Sequence, residues 1–391
     1  MTPPVRIGLV GCGDLTIRGV LPHLTQPDAL EKMEVVALCD IDARRARATA
    51  ERFEVPRWFE DCETMLDDPR VELALILTPT ACHAEQAIAA LQRGKHVYLQ
   101  KPMAATLQDA ERIVAAAGKS ARKLLVAPVQ RLCPLIGRLR EILGRSELGV
   151  VFWCLTATHF PTTCEGSGFD RTWHYGPMGG PVRDRTLYSL TTLTDLFGPA
   201  RTVTAMANLR IPVRQLRASD GASGPLQVGT EDNMVLLLEF AGGVLAVASG
   251  NYCAHGRAVP AGFIGIYGSH GSIETTEIDP ATWYPTRLEM RLGDQLSSIE
   301  SPLETVPGLR GVHSRLPEAQ VYADILHFVD CLRENKDLAS HPSHACHLVE
   351  IIEKAYRAAR TGTAQSLLTT FPPVHPNPHF PSEGDDALAE R

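Results

Sequence analysis

The chain has no stretch approaching the ~20 consecutive apolar residues of a membrane span, and its opening residues carry no apolar core of a secretory leader. No block of lysine and arginine occurs, and the formal net charge is -7, so nucleic acid and anionic membrane are poor partners. No two of the ten cysteines form a C-x-x-C pair. That spacing excludes a zinc ribbon or dithiol motif and fits buried thiols in a reducing, cytoplasmic compartment. His159, His255 and His313 lack metal-ligand spacing and read as loop or satisfied core residues, so no metal site is expected. No internal repeat is present.

At 391 residues the chain exceeds one compact core and predicts two domains. The most specific stretch is near the start. An apolar strand, Ile7 to Val10, runs into Gly11-Cys12-Gly13, with helix-compatible residues following from Asp14 and Leu15. A dinucleotide pyrophosphate needs backbone close enough to touch, which glycine allows, and the free N–H groups of a helix N-terminus. Thr16 occupies the third position of the G-x-G-x-x-G pattern, predicting looser helix–strand packing. Cys12 reads as a small space-filler. A second strand, Glu34 to Cys39, ends in Asp40. A carboxylate there accepts both ribose hydroxyls and repels a 2′-phosphate, favouring NAD over NADP, with Arg44 and Arg45 near enough to soften the choice. The competing reading has Asp40 merely capping the helix that begins near Asp42.

Strand and helix alternate over the first ~125 residues in the manner of a doubly wound parallel sheet. Helices are predicted at Ala43–Arg52, Cys62–Leu66, Ala84–Arg93 and Leu107–Ala117, and further strands at Leu73–Leu77, His96–Leu99 and Leu124–Ala127. An amphipathic helix, Leu132–Leu143, leaves the domain. The grammar then changes. Val150–His159 alternates as a strand, Pro161–Pro177 reads as a loop, and Leu187–Phe197 as a helix. Strands follow at Thr202–Leu209, Asn233–Phe240, Val244–Ser249, Gly262–Tyr267 and Ser272–Thr276, with Arg217–Gln227 read as a loop. Two helices, Pro317–Glu334 and His344–Arg360, close the structure, and an extended tail is expected from Phe371 onward. The expected domains are residues 1–128, a dinucleotide-binding α/β domain, and 129–370, an α+β domain on a large, mostly antiparallel, open-faced sheet, followed by the tail 371–391.

Val97-Tyr98-Leu99-Gln100-Lys101-Pro102 sharpens the reading. A strand of a doubly wound sheet ends here, so Lys101 projects over the carboxyl edge, where such folds bind ligands. An ammonium there stabilises a developing alkoxide and lowers the pKa of a neighbouring acid/base. The plain alternative is a surface lysine after a strand.

The glycine loop with its acidic partner, Thr78-Pro79-Thr80-Ala81-Cys82-His83, and Gly94-Lys95-His96-Val97 leading into Gln100-Lys101-Pro102 together resemble the glucose–fructose oxidoreductase/inositol dehydrogenase (Gfo/Idh/MocA) family. The resemblance continues in Met178-Gly179-Gly180-Pro181-Val182-Arg183-Asp184-Arg185-Thr186-Leu187-Tyr188, with Met178 in place of a first glycine, and in Phe197-Gly198-Pro199. It spans roughly residues 5 to 365 and implies a Rossmann-type first domain. It also implies roles. Lys101 becomes the family's catalytic lysine, with Gln100 replacing a glutamate. Asp184 orients substrate and acid/base group, and Tyr188 takes the place usually held by a catalytic histidine. Thr186 stands where a glycine is usual, which narrows the site if substrate or backbone approaches there. Gly11, Cys12, Gly13, Asp14, Leu15, Asp40, Thr78, Pro79, Thr80, His83, Gln100, Lys101, Trp173 and His174 become cofactor contacts. Trp173 and His174 match a Trp-Arg pair near the nicotinamide. Arg131 either meets a polar substrate or pairs with a carboxylate, and Tyr322 is a further candidate to line the cleft. Tyr188 has the alternative of being a core aromatic, and His83 of being a plain helix-terminus residue.

The implied activity is hydride transfer between NAD and a secondary alcohol or ketone of a sugar, glycoside or cyclitol ring. Lys101, Arg131, Trp173, Asp184 and Tyr188 face substrate, and the amine of Lys101 and the phenol of Tyr188 meet at one hydroxyl. Two alternatives stand beside it: a biosynthetic ketosugar reductase of the same family, and a non-catalytic NAD- and sugar-binding regulatory relative. The apolar run Val235-Leu236-Leu237-Leu238 predicts a homodimer or homotetramer through the second sheet.

Overall fold

A computed structural model describes residues 2–159, 164–165, 172–217, 223–254, 262–279 and 282–372. His255 and the tail from residue 373 lie outside them, as does most of the stretch between His159 and Thr172. The chain forms two compact units, Met1–Leu132 with Leu303–Val349, and Cys133–Pro302 with the residues from Glu350 onward.

The first unit is built on a six-stranded parallel sheet. Its strands are β1 (Val5–Val10), β2 (Met33–Cys39), β3 (Trp58–Phe59), β4 (Leu73–Ile76), β5 (His96–Leu99) and β6 (Leu124–Val126), in the order β3-β2-β1-β4-β5-β6. That is the doubly wound arrangement. The strands are continuous apolar runs because helices cover both faces. Leu73, Ala74, Leu75 and Ile76 are all fully buried. The order reverses between β1 and β4, so the carboxyl ends of those strands form the crevice where such sheets take ligands.

The segment Leu303–Val349, read in the sequence as part of the second domain, packs with this first unit. The reason lies in its side chains. Lys32 Nζ meets the Asp330 carboxylate at 2.8 Å, Arg18 Nη2 meets Glu318 at 2.6 Å, and Ala345, Cys346 and Val349 join the core beneath β5 and β6. Tyr322 lines no cleft. It is 3% exposed and lies stacked against His23 and His313, ring centroids 4.7 and 4.1 Å away. Asp324, in the helix Ala319–Arg333, holds the Val129 N–H at 3.3 Å, and burial pushes its carboxyl up to about 8.

The second unit carries β7 (Val151–His159), β8 (Cys164–Glu165), β9 (Ala200–Asn208), β10 (Val213–Arg217), β11 (Ser223–Gln227), β12 (Asn233–Phe240), β13 (Leu245–Asn251), β14 (Phe263–Gly268), β15 (Gly271–Ile278), β16 (Pro285–Leu292), β17 (Gln295–Glu300) and β18 (Gln365–Ser366). Nine of them form one sheet, β17-β16-β15-β14-β7-β13-β12-β9-β18, antiparallel except for the β7–β13 pair. Within the stretch Arg217–Gln227, read as a loop, Arg217 ends β10 and Ser223–Gln227 is the antiparallel strand β11, Val213 opposite Gln227 and Arg217 opposite Ser223. Ser223, Gly224 and Pro225 are poor strand formers, but β11 is an edge strand, where a proline needs no ladder N–H. Two further strands, β16 and β17, meet at a tight turn, with Leu292 opposite Gln295.

One face of this sheet is buried by the helices Pro134–Gly144 and Leu187–Phe197. β12 shows the division most clearly, with Met234, Leu236, Leu238 and Phe240 buried and Val235 and Leu237 exposed. The helix Leu187–Phe197 is buried on nearly every side, so Thr191 and Thr194 donate their hydroxyls to carbonyls four residues back. No helix among the described residues is long and apolar enough to cross a membrane.

Candidate active site

In the first unit, β1 delivers Gly11 with φ +98°, and a Cβ there would stand 3.0 Å from the Leu77 carbonyl oxygen. Only glycine fits. At Gly13 no atom lies within 4 Å of where a Cβ would be, so nothing in the protein requires glycine there. The missing side chain keeps the N–H groups of Asp14 and Leu15 approachable at the start of the π-helical turn Leu15–Val20. These residues fit a pyrophosphate. Thr16 is fully buried and donates its hydroxyl to the Gly11 carbonyl. Cys12 is buried too, and burial pushes its thiol up to about 12, the behaviour of a space-filler.

Asp40 follows β2 and is 6% exposed. One carboxylate oxygen accepts the Cys12 N–H at 2.8 Å and the other the Asp42 N–H at 2.9 Å. The helix Ala43–Arg52 is capped by Asp42, which accepts from the N–H groups of Arg44 and Arg45. Asp40 therefore has no capping duty there and is held beside the glycine loop, with lone pairs for ribose hydroxyls. Arg45 Nη1 reaches it at 3.4 Å.

Thr78 and Pro79 follow β4, Thr80 opens a short 3-10 turn, and His83 begins the helix His83–Gln92. His83 is buried with its ring nitrogens 2.8 Å from the Pro102 carbonyl and 2.9 Å from the Thr78 carbonyl. It ties the loop after β4 to the loop carrying Lys101, which is more than a helix-terminus residue does. Burial lowers its pKa. Gln100 accepts the Lys101 N–H at 3.0 Å through its side-chain oxygen. Lys101 itself is half-buried. Arg131 donates from Nη1 to the Ala339 carbonyl at 2.8 Å.

In the second unit, Asp184 sits in the π-helical turn Val182–Thr186, which leads straight into the helix Leu187–Phe197 carrying Tyr188 in its first turn. Asp184 is 4% exposed. Its Oδ2 accepts the Tyr252 hydroxyl at 2.8 Å and lies 3.4 Å from His174 Nε2 and 3.2 Å from Arg185 Nε. Tyr252 was not foreseen. It comes at the end of β13, which runs two residues beyond the expected Ser249, so the phenol arrives beside the π turn. Burial and the Asp184 charge raise its pKa well above the ordinary phenol value. Trp173 is half-exposed and stacks on His174 at 3.8 Å between centroids.

Gly179 and Gly180 explain the closeness of His174 to Asp184. A Cβ at Gly179 would lie 2.2 Å from the His174 carbonyl oxygen, and Gly180, at φ +93°, donates its N–H to that same oxygen at 2.8 Å. Met178 needs no such fit and is exposed. Thr186 is fully buried, its hydroxyl 2.6 Å from that of Thr158, and it is accommodated because Gly250 has no side chain. No group of three or more potential metal-ligating side chains occurs among the described residues.

Residues 5–127 match an "Oxidoreductase family, NAD-binding Rossmann fold", and residues 136–274 match a "GFO/IDH/MocA C-terminal domain". The chain belongs to the Gfo/Idh/MocA oxidoreductase family. D-apiose dehydrogenase of Paraburkholderia graminis is 24% identical, over 92% of this chain and 88% of that protein. Inositol 2-dehydrogenase of Salmonella typhimurium is 29% identical over 37% of this chain, and the chain spans only 43% of that relative's length. A structure of levoglucosan dehydrogenase with NADH and L-sorbose aligns with a TM-score of 0.77 at 20% identity, over 93% of this chain and 99% of that one. The protein is thus an oxidoreductase of an NAD-binding family, with relatives named as sugar and cyclitol dehydrogenases.

The packing of Thr186 against Gly250 is open to a direct check. A Cβ at residue 250 would stand 2.4 Å from the Thr186 hydroxyl oxygen. Gly250→Ala should cost about 1–3 kcal/mol in urea unfolding, and adding Thr186→Gly should recover most of it. Two independent, additive losses would contradict the contact.

Proposed function

We propose that this chain oxidises a secondary alcohol on a polyhydroxylated sugar, glycoside or cyclitol ring, with NAD as hydride acceptor. The observation that carries the reading is the buried Asp184 carboxylate, fixed through Oδ2 by Tyr252 and flanked by His174 and Arg185. A buried carboxylate whose plane is fixed by a hydroxyl donor is oriented in advance, as a group that positions a substrate must be. Lys101, at the carboxyl edge of the parallel sheet, supplies the cation that stabilises a developing alkoxide, and Tyr188 hydrogen-bonds the reacting hydroxyl. Gly11, Gly13, Asp14, Leu15 and Asp40 hold the dinucleotide, with Cys12, Thr78, Pro79, Thr80, His83 and Gln100 shaping its bed. Bound NAD supplies the hydride acceptor. The alternatives of a ketosugar reductase or a silent NAD- and sugar-binding relative use the same residues. The intact Lys101 and Asp184 favour a working enzyme.

The exposed side of the second unit's sheet supports a further part of the proposal, self-association. Met206, Val235, Leu237 and Leu245 are 82%, 43%, 47% and 48% exposed on neighbouring strands, Val235 directly opposite Met206. Such a cluster of exposed apolar side chains fits a homodimer or homotetramer.

The absorbance of NADH should appear when the protein meets NAD and the right member of a polyol panel. Lys101→Ala should lower that turnover by a factor on the order of 10²–10⁴ while nucleotide affinity stays within a few fold. Normal rates in this variant would refute the assignment. Leu237→Glu combined with Met206→Glu should shift the sedimentation coefficient to that of a monomer, and an unchanged oligomer would remove this face as the interface.

A further inference from the structure

We infer that His23, His313 and Asp28 form an acid-released latch, which fastens the segment after Leu303 to the turn that follows the glycine loop. The inference deepens the nucleotide-binding part of the proposal above, on which its coupling to ligand rests. All of these groups belong to the first unit. His23 sits on the helix Leu21–Leu24, which continues directly from the π-helical turn Leu15–Val20. His313 comes from the segment Leu303–Val349, and Asp28 from the helix Pro27–Leu30. Both imidazoles are buried, at 0% and 1% exposure.

The partners fix the protons on the two rings. His23 Nε2 lies 3.0 Å from the Pro317 carbonyl oxygen, which only accepts, so that nitrogen carries a proton. His313 Nε2 lies 3.1 Å from Asp28 Oδ1 and 3.2 Å from Oδ2, and a carboxylate requires a proton there too. The two Nδ1 atoms face each other at 2.8 Å, a separation that takes one proton between them. Three protons on four nitrogens make one imidazolium, paired with Asp28. Both rings lie within 10° of parallel to the Tyr322 ring, at 4.7 and 4.1 Å between centroids, and an aromatic face favours the positive charge. Against burial, the His313 hydrogen bond and charge hold the Asp28 carboxyl below its ordinary value.

A fourth proton has no place. It would set two N–H groups against each other at 2.8 Å and bury two positive charges side by side. Burial, with the His313 charge, pushes His23 down to about 4. A histidine released to water takes its proton near 6.5, so the open form gains on the closed one as pH falls from about 6.5 to about 4. The other groups facing the pair are already engaged. Glu318, just before the helix Ala319–Arg333, holds Arg18 at 2.6 Å, and Asp330 of that helix holds Lys32 at 2.8 Å. Burial raises the Tyr322 phenol far above this range. Arg18 lies in the π turn itself, so the closed latch also steadies the N–H groups of Asp14 and Leu15. Latch closure and dinucleotide binding therefore favour each other.

The test is hydrogen–deuterium exchange of the full chain at pH 7 and pH 5, corrected for the intrinsic pH dependence of amide exchange, with ¹⁵N NMR of the histidine rings at pH 7. The reporters are the N–H groups of His313, Arg315 and Leu316, which are hydrogen-bonded within the segment. Their protection in wild type should fall about 10–30-fold between the two pH values, and in His23→Gln, whose amide donates to Pro317 but takes no proton, by less than about threefold. His23→Asn serves if glutamine disturbs folding. The NMR should show three protonated nitrogens on the two rings, with His23 neutral and protonated at Nε2. Saturating NADH should raise the protection at pH 5 at least about threefold. Equal acid responses in wild type and His23→Gln, or two neutral rings at pH 7, overturn the inference, and so does protection indifferent to bound NADH. Failure to bind NADH at all would instead fail the nucleotide-binding reading, and the pH response of the free protein would still decide the latch.

Discussion

A carboxylate taken out of water must be surrounded by donors, and the second unit is arranged around that requirement at Asp184. Three groups from three places in the sequence converge near one oxygen: the Tyr252 hydroxyl, which donates to it, from the end of β13, and the ion-pairing nitrogens of His174, from the turn Thr172–Tyr175, and of Arg185, from the π turn itself. Two concessions in the backbone allow this. Gly179 and Gly180 let the His174 turn approach, and Gly250 makes room for the turn that carries Asp184 and Thr186. Removing the charge would leave these features without a common purpose.

The first unit solves a separate problem with a similar device. Asp40 is held by backbone N–H groups of Cys12 and Asp42, so the carboxylate is fixed before any ligand arrives. The segment Leu303–Val349 reinforces the same region. Glu318 reaches Arg18 on the helix that follows the glycine loop, and a Cβ at Gly19 would stand 2.5 Å from the Glu318 side chain. Preorganisation of this kind lowers the ordering cost of binding.

The sequence made much of this legible because two signals were strong. Continuous apolar runs ending in glycine, acidic residues or Thr-Pro located nearly every strand of the parallel sheet. Helices such as Ala43–Arg52 and Leu187–Phe197 came out with the bounds read from their periodicity. Three features were hidden, each for a physical reason. β11 is rich in residues that weaken strands in isolation, and only its pairing with β10 makes it one. Tyr322 shares its helix with Asp324 and Asp330, and nothing local says that its ring is buried against two neighbouring histidines. Tyr252 is remote from Asp184 along the chain, so only the sheet brings them together. The room for Thr186 was hidden for the same reason, since it is made at Gly250.

The most direct measurement is the kinetics of Asp184→Asn, an isosteric change, alongside its NADH affinity by fluorescence quenching. The account predicts turnover reduced at least about 100-fold with the dissociation constant for NADH within a factor of about two of wild type. Wild-type turnover, or a loss of NADH affinity in proportion to the loss of rate, would contradict it.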